Sequence, residues 1–309
     1  MTKASHHPSE GTKSKPPAPS GKPPETGSVT SKPLEAGLHV VATPIGNARD
    51  VSLRALDVLR SCDLILAEDT RVTSRLLAIH GIQKSLAPYN DHNGADARPG
   101  ILAKLRGQAR IALVSDAGTP LVSDPGFKLV RAALDAGLPV HAIPGPSAAL
   151  AALTLAGLPS DRFLFAGFLS SRAGERARAL EELAGVRASL IFFESPQRLG
   201  ESLKMMAQIL GNREAAVTRE LTKLHEEVRR GTLAELAAHY ASTDPPRGEI
   251  TLVIAPPEQA APDRTAMDAG LKAALPFMPV KAAADMIAGL TGASRKTVYD
   301  RALELKDEQ

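Results

Sequence analysis

From residue 38 onward, short runs of apolar residues alternate with longer segments that have the apolar spacing of amphipathic helices. The apolar runs have strand length and cover residues 38–42, 64–67, 111–115 and 140–143. Helical spacing covers residues 51–61, 70–79, 97–106 and 127–136. Such alternation of strands and helices predicts a largely parallel sheet covered by helices on both faces.

A second block of strands and helices follows an Ala/Leu-rich helix that Ser147 opens and Gly157 closes. Strands are predicted at residues 163–166, 190–193, 215–218, 226–230 and 249–255, and helices at 175–183, 198–210 and 233–240. Thr232 and Glu235 have the spacing of a capping box at the start of the last helix. The fold class is therefore α/β, with predicted domains at residues 37–157 and 158–257.

The two ends of the chain differ from this α/β region. Residues 1–36 contain seven prolines among Ser, Thr, Gly and Lys, a composition that predicts a disordered tail. Residues 265–306 have helical spacing with a turn at 291–293, which predicts a small helical unit resembling a helix–turn–helix.

Composition narrows the possible functions. The 309 residues contain no apolar run near 18 residues, so no membrane-spanning helix is expected. The single cysteine, Cys62, excludes an intramolecular disulfide and a cysteine-cluster metal site. The net charge of +3 is compatible with a polyanionic partner, and an aromatic content of 3% without tryptophan disfavours an extensive base-stacking platform.

Four loops that follow predicted strands are rich in glycine, proline and small polar residues, at residues 43–47, 68–71, 116–120 and 144–147. In open α/β sheets, ligands bind beyond the carboxyl ends of the strands, where these loops would meet. Gly118 and Gly145 permit close approach of a ligand to the backbone, and Ser147 stands at a helix N-terminus that can bind a carboxylate. Asp116 and Asp124 could orient the loop between them or accept hydrogen bonds from ribose hydroxyls. Each residue has an alternative role as an ordinary turn or cap residue.

Several common chemistries lack their motifs in this sequence. No G-x-G-x-x-G segment follows the first strand, no Walker A loop is present, and no G-x-S-x-G elbow occurs. The histidines show no metal-ligand spacing, and no metal is expected. Dinucleotide, nucleotide-phosphate and serine-hydrolase sites are therefore disfavoured.

Seven segments in unbroken order resemble one family of enzymes. They are VATPIGN (41–47), AEDTR (67–71), SDAGTP (115–120), IPGPSA (143–148), FESP (193–196), TRELTK (218–223) and PRGEI (246–250). Together they resemble the tetrapyrrole-methylase family, in its branch that methylates small-subunit ribosomal RNA. Most tetrapyrrole methylases have Gly-Asp-Pro in the cofactor loop. The matching residues here are Gly118, Thr119 and Pro120, as in the RNA-modifying branch.

The resemblance implies a tetrapyrrole-methylase fold of two α/β domains, with S-adenosyl-L-methionine bound in the cleft between them. It also implies a cytoplasmic homodimer that methylates the 2′-hydroxyl of a cytidine in the decoding region of 16S rRNA, in the small ribosomal subunit. By motif matching, the residues expected to contact the cofactor are Pro44, Ala117, Gly118, Thr119, Val122, Ser147, Ala148, Glu194 and Gly231.

A ribose hydroxyl is a weak nucleophile, so a proton acceptor is expected near the methyl donor. Glu68 matches the position of an acidic proton acceptor in related methylases, and Asp69 is the second candidate. Arg71 would hold a phosphate or a carboxylate. For these three residues the alternative is structural, with Asp69 or Thr70 capping the next helix and Arg71 paired with an acid.

Basic residues of the second domain are further candidates for phosphate contacts, with a solvated basic face as the alternative: Arg219, Lys223, Arg229 and Arg230. The segment 168–178 could line the entrance for the nucleotide. Two other functions remain open from the sequence: methylation of a cobalamin or sirohaem precursor, and RNA binding without catalysis on the same fold.

Overall fold

The computed structural model describes residues 33–258 and 264–307. Most of the predicted disordered tail, residues 1–32, lies outside the described residues. The chain forms two five-stranded sheets followed by three helices. This architecture confirms the predicted α/β class.

The first sheet is wholly parallel, as the alternation of strands and helices predicts. Its spatial order is β3-β2-β4-β1-β5. The strands are β1 (Gly37–Val41), β2 (Leu64–Ala67), β3 (Leu86–Pro88), β4 (Arg110–Val114) and β5 (Val140–Ile143). The intervening helices are α1 (Leu53–Ser61), α2 (Thr70–Ile79), α3 (Gly94–Arg106) and α4 (Phe127–Asp135).

Apolar clusters lie on both faces of the first sheet. One packs α1 and α2 around Val41, Ile65 and Val114, and the other packs α3 and α4 around Leu38, Leu66 and Ile111. Successive residues of a strand point to opposite faces, so each continuous apolar run contributes to both clusters. This two-sided burial holds the carboxyl ends of the strands in fixed positions at one edge of the sheet.

Strand β3 was not predicted from the sequence. This strand has three residues, ends at Pro88, and pairs only with β2 at the edge of the sheet. Proline lacks an N–H and is tolerated on an edge strand, but it weakens the strand pattern in the sequence.

The second sheet is mixed, in the order β6-β7-β10-β8-β9, with only β6 and β7 parallel. Its strands are β6 (Phe163–Phe168), β7 (Ser189–Glu194), β8 (Glu214–Arg219), β9 (Glu227–Thr232) and β10 (Ile250–Ile254). One face packs against helices numbered here α6 (Ala173–Leu183), α7 (Leu199–Leu210) and α8 (Leu233–Ala241). The predicted capping box of Thr232 and Glu235 begins α8.

The other face of the second sheet is covered by α5 (Ala148–Ala156), the helix that links the two sheets in the chain. Ala152 and Leu153 pack there against Ile191 and Val253. At the end of α5, the Arg230 guanidinium donates hydrogen bonds to the carbonyls of Leu155 and Ala156. The second sheet is thus packed against and hydrogen-bonded to α5, the helix that begins at the carboxyl edge of the first sheet.

The three C-terminal helices are α9 (Arg264–Ala274), α10 (Val280–Thr291) and α11 (Arg295–Asp307). They share a small apolar cluster around Leu271, Ile287 and Val298. Gly292, with φ +66°, ends α10 as a left-handed cap, which permits the predicted turn before α11. Within residues 33–258 and 264–307, no helix has the length and apolar character that crossing a membrane requires.

A buried histidine makes the first sheet sensitive to acid. His39 stacks on His141, with ring centroids 4.7 Å apart, and burial lowers its pKa. The unfolded chain therefore takes up a proton near pH 6.5 that the folded chain resists, so stability falls as the pH drops below about 6.5. In urea unfolding, we expect the His39→Phe variant to lose less stability than the parent chain between about pH 7.5 and about pH 5.5. An equal loss in both would exclude His39 as the source.

Candidate functional site

A cavity of about 430 Å³ lies between the carboxyl edge of the first sheet and the second sheet. Cavities of this size are typical of small-molecule sites. The first part of the chain contributes residues of four loops: Ile45, Glu68, Asp116, Ala117, Gly118, Thr119, Val122, Ser123, Asp124, Ser147 and Ala148. The second part contributes residues at strand ends: Phe168, Phe193, Glu194, Ser195, Pro196, Gly248, Glu249, Ile250 and Thr251.

The Gly-Thr-Pro loop is tied to the loop after β1. Gly118 and Thr43 exchange two backbone hydrogen bonds of 2.8 and 3.1 Å, and the Thr119 hydroxyl donates to the Pro146 carbonyl. Gly118 has φ +80°, a conformation that side-chain-bearing residues rarely adopt. Three of the four predicted loops are thereby joined into one wall of the cavity.

The segment that follows this loop has a strained backbone. Leu121 and Ser123 are not glycines, yet their φ angles are +75° and +65°. A left-handed residue other than glycine costs about 1 kcal/mol or more, and such residues cluster at functional sites. The strain bends the segment so that Val122, Ser123 and Asp124 all line the cavity.

Three carboxylates form an acidic wall: Glu68 after β2, Asp116 after β4, and Asp124 in the strained segment. Burial raises the pKa of each, and for Asp124 the value reaches about 6 because Glu68 and Asp116 add like-charge repulsion. Asp116 accepts the backbone N–H of Asp69 at 2.9 Å. Among the described residues, neither Glu68 nor Asp124 forms an ion pair.

Asp69 and Arg71 are engaged with each other outside the cavity. The Asp69 carboxylate caps α2 by accepting the backbone N–H of Arg71, and it also accepts hydrogen bonds from the Arg71 guanidinium, the shortest 2.6 Å. This guanidinium lowers the pKa of Asp69 to about 2. The geometry matches the structural alternative for these two residues, and it favours Glu68 as the carboxylate available to a ligand.

The N-terminus of α5 opens on the cavity through Ser147 and Ala148. The Ser147 side chain makes no capping hydrogen bond, so it leaves the first amides of the helix available to a ligand. Free amides at a helix N-terminus bind carboxylates well because their partial positive charges point toward the ligand.

Glu194 lies at the base of the cavity with its carboxylate already satisfied. It accepts hydrogen bonds from the Ser195 backbone N–H at 2.7 Å and from the Ser202 hydroxyl at 2.6 Å, and it pairs with Arg198 at 2.9 Å. The Glu194 side chain therefore forms part of the cavity floor. A ligand there would contact polar atoms near Glu194 that are not already hydrogen-bonded.

Most of the predicted cofactor residues meet in this cavity: Ala117, Gly118, Thr119, Val122, Ser147, Ala148 and Glu194. Pro44 and Gly231 are outside its lining. Pro44 adjoins the lining residue Ile45, whereas Gly231 pairs with Ala215 in the second sheet. Gly145 is required for packing within the protein, because a Cβ there would lie only 2.9 Å from the Cβ of Ala42. The roles of Pro44 and Gly231 stay predictions.

The basic residues predicted to contact phosphate are engaged in internal contacts. Arg219 pairs with Glu227 at 3.0 Å, and Lys223 pairs with Glu220 and Glu249. Arg229 also pairs with Glu227, and Arg230 holds the end of α5. These side chains stabilise the second sheet and its loops, so the structure gives them a role that sequence spacing alone did not reveal.

Asp124, which the sequence suggested could orient its loop or accept hydrogen bonds from ribose hydroxyls, lines the cavity. Phe168, from the segment suggested to line the nucleotide entrance, lines it as well. Asp124 stands six residues beyond Gly118, and only the strained segment returns it to the same wall. Phe168 ends β6 and belongs to the second sheet. In the sequence, Asp124 was indicated by its position near the glycine-containing loop, and Phe168 by its position near the end of a predicted strand. Within the described residues, no group of three or more His, Cys, Asp or Glu side chains is arranged to hold a metal ion.

Comparisons with known proteins agree with this geometry. Residues 37–237 match the family described as Tetrapyrrole (Corrin/Porphyrin) Methylases, and residues 261–306 match the RsmI C-terminal HTH domain. The latter match covers the three C-terminal helices. Solved structures share the fold at low sequence identity. The methyltransferase CobJ has a TM-score of 0.56 at 18% identity, covering 72% of this chain and 94% of that one.

Curated relatives are much more similar. Proteins called ribosomal RNA small subunit methyltransferase I are 51% identical in Mesorhizobium japonicum, over 90% of this chain and 95% of the relative, and 56% identical in Erythrobacter litoralis, over 90% and 98%. Sequence identity at this level over nearly the whole length establishes homology. The chain belongs to the tetrapyrrole methylase family, among the ribosomal RNA small subunit methyltransferases I.

Proposed function

We propose that this protein transfers a methyl group from S-adenosyl-L-methionine to the 2′-hydroxyl of a cytidine in the decoding region of 16S rRNA. The observation that carries the proposal is the meeting, in one cavity, of the Gly118 loop, the N-terminus of α5 and three carboxylates that form no ion pair among the described residues: Glu68, Asp116 and Asp124. The relatives' name, ribosomal RNA small subunit methyltransferase, gives the substrate class and disfavours a cobalamin or sirohaem precursor.

The residues present fit S-adenosyl-L-methionine. The amides of Ala148 and its neighbours in α5 suit the carboxylate of its methionine part, and Gly118 leaves room for close approach to the backbone. The acidic wall of Glu68, Asp116 and Asp124 complements a positive charge such as a sulfonium. When bound, this cofactor supplies an electrophilic methyl group.

The residues of the chain would position the ribose and remove its proton. Glu68 would accept the proton of the 2′-hydroxyl on a carboxylate oxygen as the bond between the hydroxyl oxygen and the methyl carbon forms. The bond from that carbon to the sulfonium sulfur would break at the same time, and the neutral thioether would leave. Burial raises the pKa of Glu68, which brings it closer to the value at which a general base works best. Much of the acceleration would come from in-line alignment of the two reactants.

The small ribosomal subunit is the proposed partner, and α9, α10 and α11 would assist docking on it. We further propose that the protein acts in the cytoplasm as a homodimer, on the basis of its family membership. Methylation at a ribose requires the nucleotide to be accessible, which is readily achieved when its base leaves the surrounding stack.

The direct test is transfer of labelled methyl from S-adenosyl-L-methionine to small ribosomal subunits from a strain that lacks this gene, followed by nuclease mapping. Label at a single ribose 2′-oxygen of 16S rRNA is expected. Cofactor binding without incorporation would redirect the search to tetrapyrrole substrates. Absence of both binding and transfer would favour an RNA-binding protein without catalysis.

Asp124 predicts how the reaction depends on pH. Because its pKa is about 6, the acidic wall loses negative charge as the pH falls through that value, and methyl transfer should decline with it. The Asp124→Asn variant should lack this step in its pH–rate profile. It should also unfold at higher urea concentration at neutral pH, since a raised carboxylate pKa means that ionisation destabilises the folded state. An unchanged profile with normal stability would remove Asp124 from the reaction.

A further inference from the structure

A β-bulge directs an aromatic side chain into the cavity. The pairing of β6 with β7 shifts register between Phe165 and Gly167, so that Phe168 lies opposite Phe193. Strict alternation would put Phe165 and Phe168 on opposite faces of the sheet, because they are three residues apart. The bulge, with Gly167 at φ +66°, instead brings both rings against Phe193, at centroid distances of 4.9 and 5.4 Å. Bulges that re-aim a side chain in this way are frequent beside active sites.

Phe168 remains 58% exposed although it lines the cavity. Its edge-to-face contact with Phe193 fixes the ring, and Phe193 is held in turn by Phe165. Leaving a phenylalanine ring in water forgoes the free energy that its burial would provide. A flat apolar ring that is fixed and exposed in a cavity is suited to a flat ligand that covers it.

The strand that carries Phe168 touches the segment that carries Asp124, and both residues line the cavity. The Ser123 hydroxyl oxygen lies 3.3 Å from the position that a Cβ on Gly167 would occupy, so the strained segment touches the bulge. Asp124 is the next residue of that segment, and Phe168 is the next residue of the strand. A nucleoside whose base covered Phe168 would thus place its sugar near the carboxylates.

The charge of the cavity also favours recognition through the base. In the part of the chain that the structure describes, no lysine or arginine lines this cavity. Of its carboxylates, Glu194 and Glu249 are paired with Arg198 and Lys223, whereas the three of the acidic wall form no ion pair. Phosphates would be repelled from such a wall and would stay outside it. Binding energy for a nucleotide inside must then come from stacking and from hydrogen bonds to its sugar and base.

We propose that Phe168 is the stacking surface for the base of the RNA nucleotide that is methylated, with the β6 bulge and Phe193 holding the ring in place. This assignment rests on the proposed function and specifies how its substrate is recognised. One ring at the mouth of the cavity suffices for a single unstacked base, and no extended aromatic platform is required.

The test compares Phe168→Leu and Phe168→Tyr in methyl transfer to small ribosomal subunits that lack the modification. The leucine variant should lower kcat/KM for the subunits roughly tenfold, the scale of losing one base–aromatic stack, while the dissociation constant for S-adenosyl-L-methionine stays the same. The tyrosine variant should keep activity near that of the parent chain. Equal activity of all three proteins would overturn the proposal, as would a loss confined to cofactor affinity.

The absence of tryptophan from the chain provides a second readout. In a Phe168→Trp variant, S-adenosyl-L-methionine alone should leave the emission unchanged, as it should in the Phe163→Trp control at the opposite end of the same strand. Quenching of the Phe168→Trp emission by the cofactor would mean that the ring binds adenine, which would overturn the proposal. If the parent chain itself transfers no methyl to subunits, the proposed function fails first, and that failure is distinct from either result with the variants.

Discussion

Replacing Gly118 with valine is expected to abolish measurable binding of S-adenosyl-L-methionine. Gly118 has φ +80°, which a β-branched residue reaches only with considerable strain. A Cβ on Gly118 would make only ordinary van der Waals contacts, 3.5 Å to Ile45 and 3.9 Å to the Pro146 carbonyl oxygen. Because Gly118 lines the cavity, the added valine methyl groups would take up space that the ligand needs. The variant should therefore fold and lose its ligand site. Calorimetric titration with the cofactor measures the effect.

Gly137 offers a matched control. It also has a left-handed backbone, with φ +67°, and no atom lies within 4 Å of a Cβ placed on it. It follows α4 and does not line the cavity. Gly137→Val should cost stability through the same strain but keep cofactor affinity. If Gly118→Val binds the cofactor as well as Gly137→Val does, the ligand site lies elsewhere.

Much of the fold could be predicted because local signals and packing agree. The spacing predicts a helix over residues 70–79, and α2 has these bounds. The four small-residue loops converge because parallel strands place their carboxyl ends at one edge of the sheet. The order of strands and loops in the sequence was therefore enough to predict that these loops lie close together. Three of these loops, and the helix N-terminus at Ser147, line a common cavity.

What could not be predicted depends on contacts between distant segments. The bulge that turns Phe168 toward the cavity exists only in the pairing with β7, and nothing in a single strand's sequence fixes its register. Likewise, Lys223 meets Glu249 across 26 positions of the chain, and Arg230 meets the end of α5 across more than 70. A count of basic residues in the sequence could not show that Lys223 is paired with a carboxylate or that Arg230 is hydrogen-bonded to backbone carbonyls.

The acidic wall was predicted only in part, because some of its residues are placed by local sequence and others by the conformation of a longer segment. Glu68 was identified by its position after a strand and by its match to an acidic proton acceptor in related methylases, both of which can be read from the local sequence. Asp124 joins it because Leu121 and Ser123 adopt strained conformations that reverse the segment, and sequence spacing carries no sign of that strain. The structure therefore brings into one wall Glu68, Asp116 and Asp124, which the sequence indicated only as residues of separate loops.

Replacing Glu68 with glutamine should slow methyl transfer roughly 10²-fold or more while leaving cofactor affinity intact, the scale expected when a general base is lost. Glutamine preserves the volume of the side chain in the wall but cannot take the proton from the 2′-hydroxyl. Single-turnover transfer with saturating cofactor isolates this step from binding and product release.

Asp69→Asn separates the two candidates that are adjacent in the chain. Asp69 pairs with Arg71 at the surface and caps α2, and asparagine is an equally good N-cap. The variant should therefore keep nearly the stability of the parent chain and reduce transfer far less than the loss of Glu68. The reverse order of effects would make Asp69 the proton acceptor. Full activity in Glu68→Gln would instead leave Asp116 and Asp124 as the carboxylates of the acidic wall that can receive the proton.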